Sequence, residues 1–238
     1  MRAGAIAVAL PLAFALAGCG RLPGATAVAV TPRPEQVLDF HTLYGTNCQA
    51  CHGANGHGGP AMELGSPEYQ ALVDDATLRK WISGGMPGTE MPAFAQSAGG
   101  ILTDAQVNAI IAGMRKEWAK PDAFAGTTPP PYAADRAGDV RRGQQTYEAR
   151  CASCHEKPSR QQVTSPAYLS LVSDQALRTI IVAGRADIGQ PDWRLRGAGA
   201  TTGQPLSGQD VTDIVTYLGS LRNSAAVSAM PLPTSPRR

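Results

Sequence analysis

The 238-residue chain sets 21 Lys and Arg against 19 Asp and Glu, a net charge of +2, and holds 5 Cys. So even a balance gives no electrostatic footprint for nucleic acid, and the length suits one or two domains.

Residues 1–18 read as a signal peptide. Arg2 gives a short basic start, and residues 3–18 are apolar but broken by Pro11, too short to span a bilayer well. Leu16-Ala17-Gly18-Cys19 resembles a bacterial lipobox, which predicts cleavage before Cys19 and acylation of its thiol. An ordinary secretory signal with a stray cysteine is the alternative. Residues 19–36, rich in Ala, Thr, Pro and Val without periodicity, are then a lipid-anchored tether; 17 or so flexible residues reach roughly 20–25 Å.

A first domain is expected over residues 37–120. Val37, Phe40 and Tyr44 fall on helical spacing and run into Cys48-Gln49-Ala50-Cys51-His52. A C-x-x-C-H string reads as a covalent haem c attachment site: each thiol can form a thioether to a vinyl group, and the adjacent imidazole can bind the iron. Zinc and thioredoxin-like sites also use C-x-x-C. Here no second C-x-x-C pair accompanies the motif to complete a cage, and no βαβ pattern surrounds it. Residues 53–60 are a loop by composition, and His57, like His41, reads as a surface residue. Short helices are expected from Pro67 to Ile82, then an irregular loop over 84–94. Thr103 as N-cap, with Gln106 three residues on, opens a helix. Its apolar stripe is Val107, Ile110, Ile111, Met114 and Trp118, and Pro121 stops it. Residues 121–137, with Pro129-Pro130-Pro131, predict a semi-rigid linker.

A second domain, 138–223, repeats the pattern around Cys151-Ala152-Ser153-Cys154-His155. Helices are expected from Asp139, through Tyr168 to Val182, and from Ser207 to about Arg222, the last striped by Val211, Ile214, Val215, Leu218 and Leu221. Residues 224–238 read as a disordered tail. Four cysteines lie in the two motifs, leaving no pair for a structural disulfide. Buried porphyrins would supply the core that two small domains lack. The first half is mildly acidic and the second mildly basic, which suits either docking faces for different partners or two solvated surfaces.

Ser66-Pro67, Tyr69, Leu72-Val73 and Leu78-Arg79 reappear, at one constant offset, as Ser165-Pro166, Tyr168, Leu171-Val172 and Leu177-Arg178. With a helix entering C-x-x-C-H, a ligand-bearing loop and a final helix, each half resembles a class I cytochrome c domain. The resemblance implies an all-α fold of two tandem domains, each wrapped around a covalently attached haem c and working in one-electron transfer. It implies attachment through Cys48, Cys51, Cys151 and Cys154, and iron ligation by His52 and His155.

For the sixth ligand, Met91 in Met-Pro-Ala-Phe matches the family's loop best, ahead of Met86; Met62 and Met114 read as packing. The same offset carries Met91-Pro92 onto Gln190-Pro191, and the second domain has no other His, nor a Met before the tail. Weak ligation by the Gln190 amide oxygen, an open or water-filled position, and a lysine or other residue moving in are the alternatives there. Pro60 and Pro158 match the position whose carbonyl accepts the histidine N–H. Trp81, Trp118 and Trp193 read as haem-edge or core packing, and Arg185 and Arg194 as propionate partners or exposed arginines. The family packs a small residue of the first helix on an aromatic of the last. That predicts Gly143 on Tyr217 and, with bulk exchanged, Phe40 on Gly113.

The expected function is a membrane-anchored dihaem electron carrier rather than an enzyme, exported to the periplasmic side. Its partners would be a quinol-oxidising complex or dehydrogenase and an acceptor such as an oxidase, reaction centre or cytochrome. The alternative is peroxide, NO or O2 chemistry at a weakly ligated second haem. Membrane association is expected to depend on Cys19: Cys19→Ser should release a soluble dihaem protein, and unchanged fractionation with membranes would refute the lipobox reading.

Overall fold

The computed structural model describes residues 31–157, 162–195 and 204–222. Residues 1–18, Cys19, Pro158 and the tail from 224 lie outside them. Among the described residues all regular structure is helical, with two isolated bridges and no strand.

The first half contains α1 (Phe40–Asn47), α2 (Gln49–His52), α3 (Pro67–Leu72), α4 (Asp75–Gly84) and α5 (Asp104–Trp118). α1 begins three residues later than Val37 because Asp39 caps it, its carboxylate accepting the Thr42 N–H at 2.8 Å. Val37 still packs on the core from outside the helix. α5 opens on the capping box of Thr103 and Gln106. The Gln106 amide also donates to the Pro34 and Val37 carbonyls at 2.8 and 3.1 Å, tying the chain ahead of α1 to α5. Val107, Ile110, Ile111 and Met114 turn one face of α5 into a core with Leu43, Tyr44 and Leu78.

The second half repeats this with α6 (Val140–Arg150), α7 (Ala152–His155), α8 (Pro166–Leu169), α9 (Asp174–Ala183) and α10 (Gly208–Ser220). Ser207 and Asp210 form the capping box of α10. Its inward face, Val211, Ile214, Val215 and Leu218, meets Tyr147, Leu169 and Leu177.

In each half the first helix crosses the last at a glycine. A Cβ on Gly113 would lie 2.1 Å from Phe40 Cγ, and one on Gly143 would lie 2.8 Å from Tyr217 Cβ and 2.0 Å from the Asp213 carbonyl oxygen. Both predicted contacts are present, with the bulky partner on opposite helices. Close packing requires the joint volume to be kept, not its division between the two sides. Trp118 extends the first crossing, edge-on to Phe40 and Tyr44 at 5.5 and 5.1 Å.

The segment between the halves is a packed strap rather than a spacer. Phe124 is buried in the second core, and Tyr132 packs on the first while its hydroxyl accepts the Trp81 indole N–H at 2.9 Å. Gln175 and Arg178 of α9 donate to the carbonyls of Tyr132 and Pro131 at 2.8 and 2.9 Å. Two aromatic anchors thus outweigh the stiffness that its prolines suggest. Leu72 touches both cores, and Ala183 of α9 lies in the first.

The α6–α10 crossing carries a buried carboxylate. Asp213 accepts from the Asp139 N–H at 2.7 Å, from Arg142 Nε at 2.8 Å and from Gln209 at 2.9 Å. Burial pushes its pKa upward, but these donors and the Arg142 charge hold it below the usual carboxylate value. A depressed folded pKa contributes stability above the unfolded value, about 3.9, and loses it as pH falls through the folded value. Acid unfolding of the second half should therefore steepen below about pH 4. Thermal melts across pH should show that slope reduced in Asp213→Asn; equal slopes would refute it.

Candidate haem sites

Each C-x-x-C-H motif is one tight turn after a break in the first helix. Cys48 (φ −120°, ψ −36°) and Cys151 (φ −121°, ψ −39°) interrupt the helix at matching places. The Cys48 carbonyl accepts the N–H groups of Cys51 and His52, and Cys151 does the same for Cys154 and His155. None of these four cysteines is in a disulfide. Burial, reinforced by Cys51, pushes Cys48 up to about 12. Burial also takes Cys151 up to about 11, Arg150 opposing and Cys154 adding. Redox-active and metal-bound cysteines need the opposite, a stabilised thiolate.

His52 Nδ1 donates to the Met62 carbonyl at 2.8 Å, which leaves Nε2 as the nitrogen that can meet a metal. The acceptor is Met62, not Pro60. The chain turns at Gly53 (φ 79°), passes through a 3₁₀ turn at Ala54–Gly56, and is pinned where Ala61 N–H donates to the Cys51 carbonyl at 2.9 Å. That turn carries the acceptor two residues further along. Burial lowers the His52 pKa; the Met62 bond opposes this and Arg185 adds to it, keeping the ring neutral, as a metal ligand must be. His57 is exposed, as expected of a surface residue, and also has a partner. Its Nδ1 meets Glu63 Oε1 at 2.6 Å, and Glu63 is only 4% exposed.

The two ligand loops are laced by similar main-chain bonds, the middle one displaced by a residue and the second loop holding one more. In the first, Met86 N–H donates to the Met91 carbonyl, Phe94 N–H returns to the Ile82 carbonyl, and Leu102 N–H closes on Phe94. In the second, Arg185 donates to Gln190, Trp193 to Val182 and Leu206 to Trp193. Met91 and Gln190 occupy the same place in the same loop. Met91 packs on the first core, whereas Met86 lies outside that cluster. Met114 is buried in α5, and Met62 packs on the same core as filler. The Gln190 amide nitrogen donates to the Pro191 carbonyl at 3.1 Å, which turns its oxygen to His155 Nε2 at 3.0 Å. Histidine nitrogen and amide oxygen are thus in direct hydrogen-bond contact, the two groups that would hold an iron in this half.

A haem c fits these surroundings. Tyr147 Oη, Trp193 Nε1 and Arg150 Nε are buried in the second half without a partner, and a group bearing carboxylates would satisfy such donors. The matching tyrosine of the first half, Tyr44, has found the Gly53 carbonyl at 2.9 Å. Cys48, Cys51, His52 and Met91 would hold one haem; Cys151, Cys154, His155 and Gln190 would hold the other. When bound, the group supplies a one-electron iron couple whose potential the axial ligand sets.

Arg185 and Arg194 are neither exposed nor free for propionates. Arg194 is clamped by Asp192, lies 3.6 Å from Glu68 and sits over the Phe124 ring. Arg185 pairs with Asp187 and reaches the carbonyls of Gly59 and Ala61 in the first half. Tertiary contacts of this kind left no local signal in the chain.

No helix among the described residues is long and apolar enough to cross a membrane. The family described as cytochrome c oxidase, cbb3-type, subunit III, matches residues 35–112, and the family described as cytochrome c matches residues 140–222. The cytochrome c subunit of the cytochrome bc1 complex of Mycobacterium tuberculosis is 27% identical over 147 residues, 56% of this chain and 51% of that protein. The cbb3-type cytochrome c oxidase subunit CcoP of Azospirillum sp. is 31% identical over 132 residues, 48% of this chain and 37% of that one. The dihydro-heme d1 dehydrogenase of Pseudomonas aeruginosa is 41% identical over 70 residues, 29% of this chain and 13% of that one. The chain spans about half or less of the length of these relatives. With one match over each half, each holding its own C-x-x-C-H motif, the chain is a tandem of two cytochrome c-type domains with two covalently bound haem c groups.

Proposed function

We propose that this protein is a lipid-anchored dihaem electron carrier on the periplasmic side of a bacterial membrane. It passes single electrons from a quinol-oxidising complex or dehydrogenase to an oxidase, reaction centre or another cytochrome. The observation that carries the reading is the repeated ligand loop, which offers a thioether in one half and an amide oxygen in the other. Two haems with unlike sixth ligands make a stepped pair for electrons: thioether favours ferrous iron, and a hard oxygen leaves the second haem at lower potential. Two of the relatives are named as subunits of the bc1 complex and of cbb3 oxidase, which supports a respiratory complex as partner. The chain's own part is to fix ligation, burial and docking around the haems. Acylated Cys19 would hold the domains near the lipid surface.

In this reading His52 and His155 are the proximal ligands, and Met91 and Gln190 the sixth. Met91→His should leave the first haem low-spin and drop its potential, because imidazole favours ferric iron more than thioether does. If redox titration shows the drop in Met86→His instead, Met86 is the ligand.

Gln190→Met should raise the second haem's potential by about 0.1 V or more, within the span over which axial ligands tune haem. Carbon monoxide should bind one haem of the reduced wild-type protein and neither in Gln190→Met. Unchanged potentials and spectra would remove Gln190 from the iron.

A further inference from the structure

Arg185 stands where the first half has Met86, at the start of the ligand loop, and it faces both haem sites at once. Its side chain is 8% exposed, as is that of its partner Asp187. Nε and Nη2 donate to the two Asp187 carboxylate oxygens, each at 2.8 Å. Nη1 donates to the Ala61 carbonyl at 2.8 Å and Nη2 to the Gly59 carbonyl at 3.1 Å. Asp187 in turn accepts the Gly58 N–H at 3.1 Å. The gripped stretch, 58–61, leads directly to Met62, whose carbonyl orients His52. The backbone of the same residue holds Gln190 from both sides: Arg185 N–H donates to the Gln190 carbonyl and Gln190 N–H to the Arg185 carbonyl, both at 2.9 Å. Met86 and Met91 share only the first of these bonds.

We infer that Arg185 is the positioning residue shared by the two haem sites, its guanidinium fixing the loop behind His52 and its backbone holding Gln190 toward His155. The inference rests on Gln190 as the second haem's sixth ligand. Four of the five guanidinium N–H groups are committed, so the side chain is a clasp between the domains and not an anion site. Only a planar fork can serve a carboxylate and two carbonyls together, so lysine cannot replace it. Loss of the Asp187 charge leaves the buried guanidinium only the nearby Glu63 carboxylate, and loss of the Arg185 charge leaves Asp187 buried beside Glu63. An external ligand at the second iron competes with Gln190, so its apparent affinity follows the fraction of molecules in which Gln190 has swung away. The clasp sets that fraction from the first domain.

Arg185→Gln, Arg185→Lys, Asp187→Asn and Gln190→Ala in the full-length dihaem protein test this by carbon monoxide titration of the reduced form and by redox titration. Haem content and far-UV circular dichroism check folding. Arg185→Gln and Asp187→Asn should tighten CO binding at the second haem about tenfold, the lower end of what losing a supporting partner does to a metal site. Both should also shift the first haem's potential, although no residue of the first domain has changed, and Arg185→Lys should behave like Arg185→Gln. Should Arg185→Gln fail to retain haem, Asp187→Asn is the deciding variant. Wild-type CO affinity and an unmoved first potential would overturn the inference. Gln190→Ala separates the two possible failures. If it leaves the second haem's spectrum and CO affinity unchanged, the ligand reading has failed. If it alters them while Arg185→Gln and Asp187→Asn do not, the ligand reading stands and Arg185 is not the positioning residue.

Discussion

Both sites depend on one backbone constraint, the left-handed glycine that ends the helix before each ligand loop. Gly85 (φ 71°) and Gly184 (φ 78°) turn the chain so tightly that a Cβ would lie 2.8 Å from the Met91 carbonyl oxygen in one half and 3.0 Å from the Gln190 carbonyl oxygen in the other. No other residue takes that φ cheaply or lets the returning strand pass so close. From there the loop is laced back onto its helix by main-chain bonds, so the backbone sets the place that Met91 and Gln190 occupy and one side chain sets its chemistry. A duplicated loop of this kind can exchange methionine for glutamine at one place with little change of course.

The parts of the fold written in local or periodic signals were legible in the chain. The capping pair at Thr103, the helix start at Ser207 and the stripes of α5 and α10 follow from residue type and spacing alone, whereas the break at each motif does not. The glycine–aromatic crossings were legible because volume conservation survives alignment even when bulk changes sides. Long-range features were hidden. Met62 replaces Pro60 as acceptor because the Ala54–Gly56 turn, with Asn55 at φ 56°, uses up chain in a way that composition does not reveal. His57 finds a buried Glu63, and Arg185 a carboxylate two residues away plus two carbonyls across the domain boundary. In the linker the prolines were informative about stiffness, but Phe124 and Tyr132 decide where it goes.

The two halves share more than ancestry. Leu72 serves both cores, Ala183 crosses into the first, and the strap ties α4 to α9 through Trp81, Tyr132 and Gln175. Relative domain motion is the usual expectation for small polar interfaces. Here apolar residues are shared and a charged pair is buried, so the separation between the two redox centres is a property of the fold rather than of a flexible hinge.

The opposite placement of bulk at the two helix crossings bears on how the chain assembles. A protein with two copies of one domain can pair the first helix of one copy with the last helix of the other, a recurrent failure of duplicated chains. Were α1 to meet α10, Phe40 would be driven onto Tyr217, two aromatics in a space made for one. Were α6 to meet α5, Gly143 would face Gly113 and leave a hole. Both exchanges are penalised by sterics, one through overlap and the other through a void. The mirrored glycines therefore act as a key and its counter-key, favouring for each first helix the last helix of its own half.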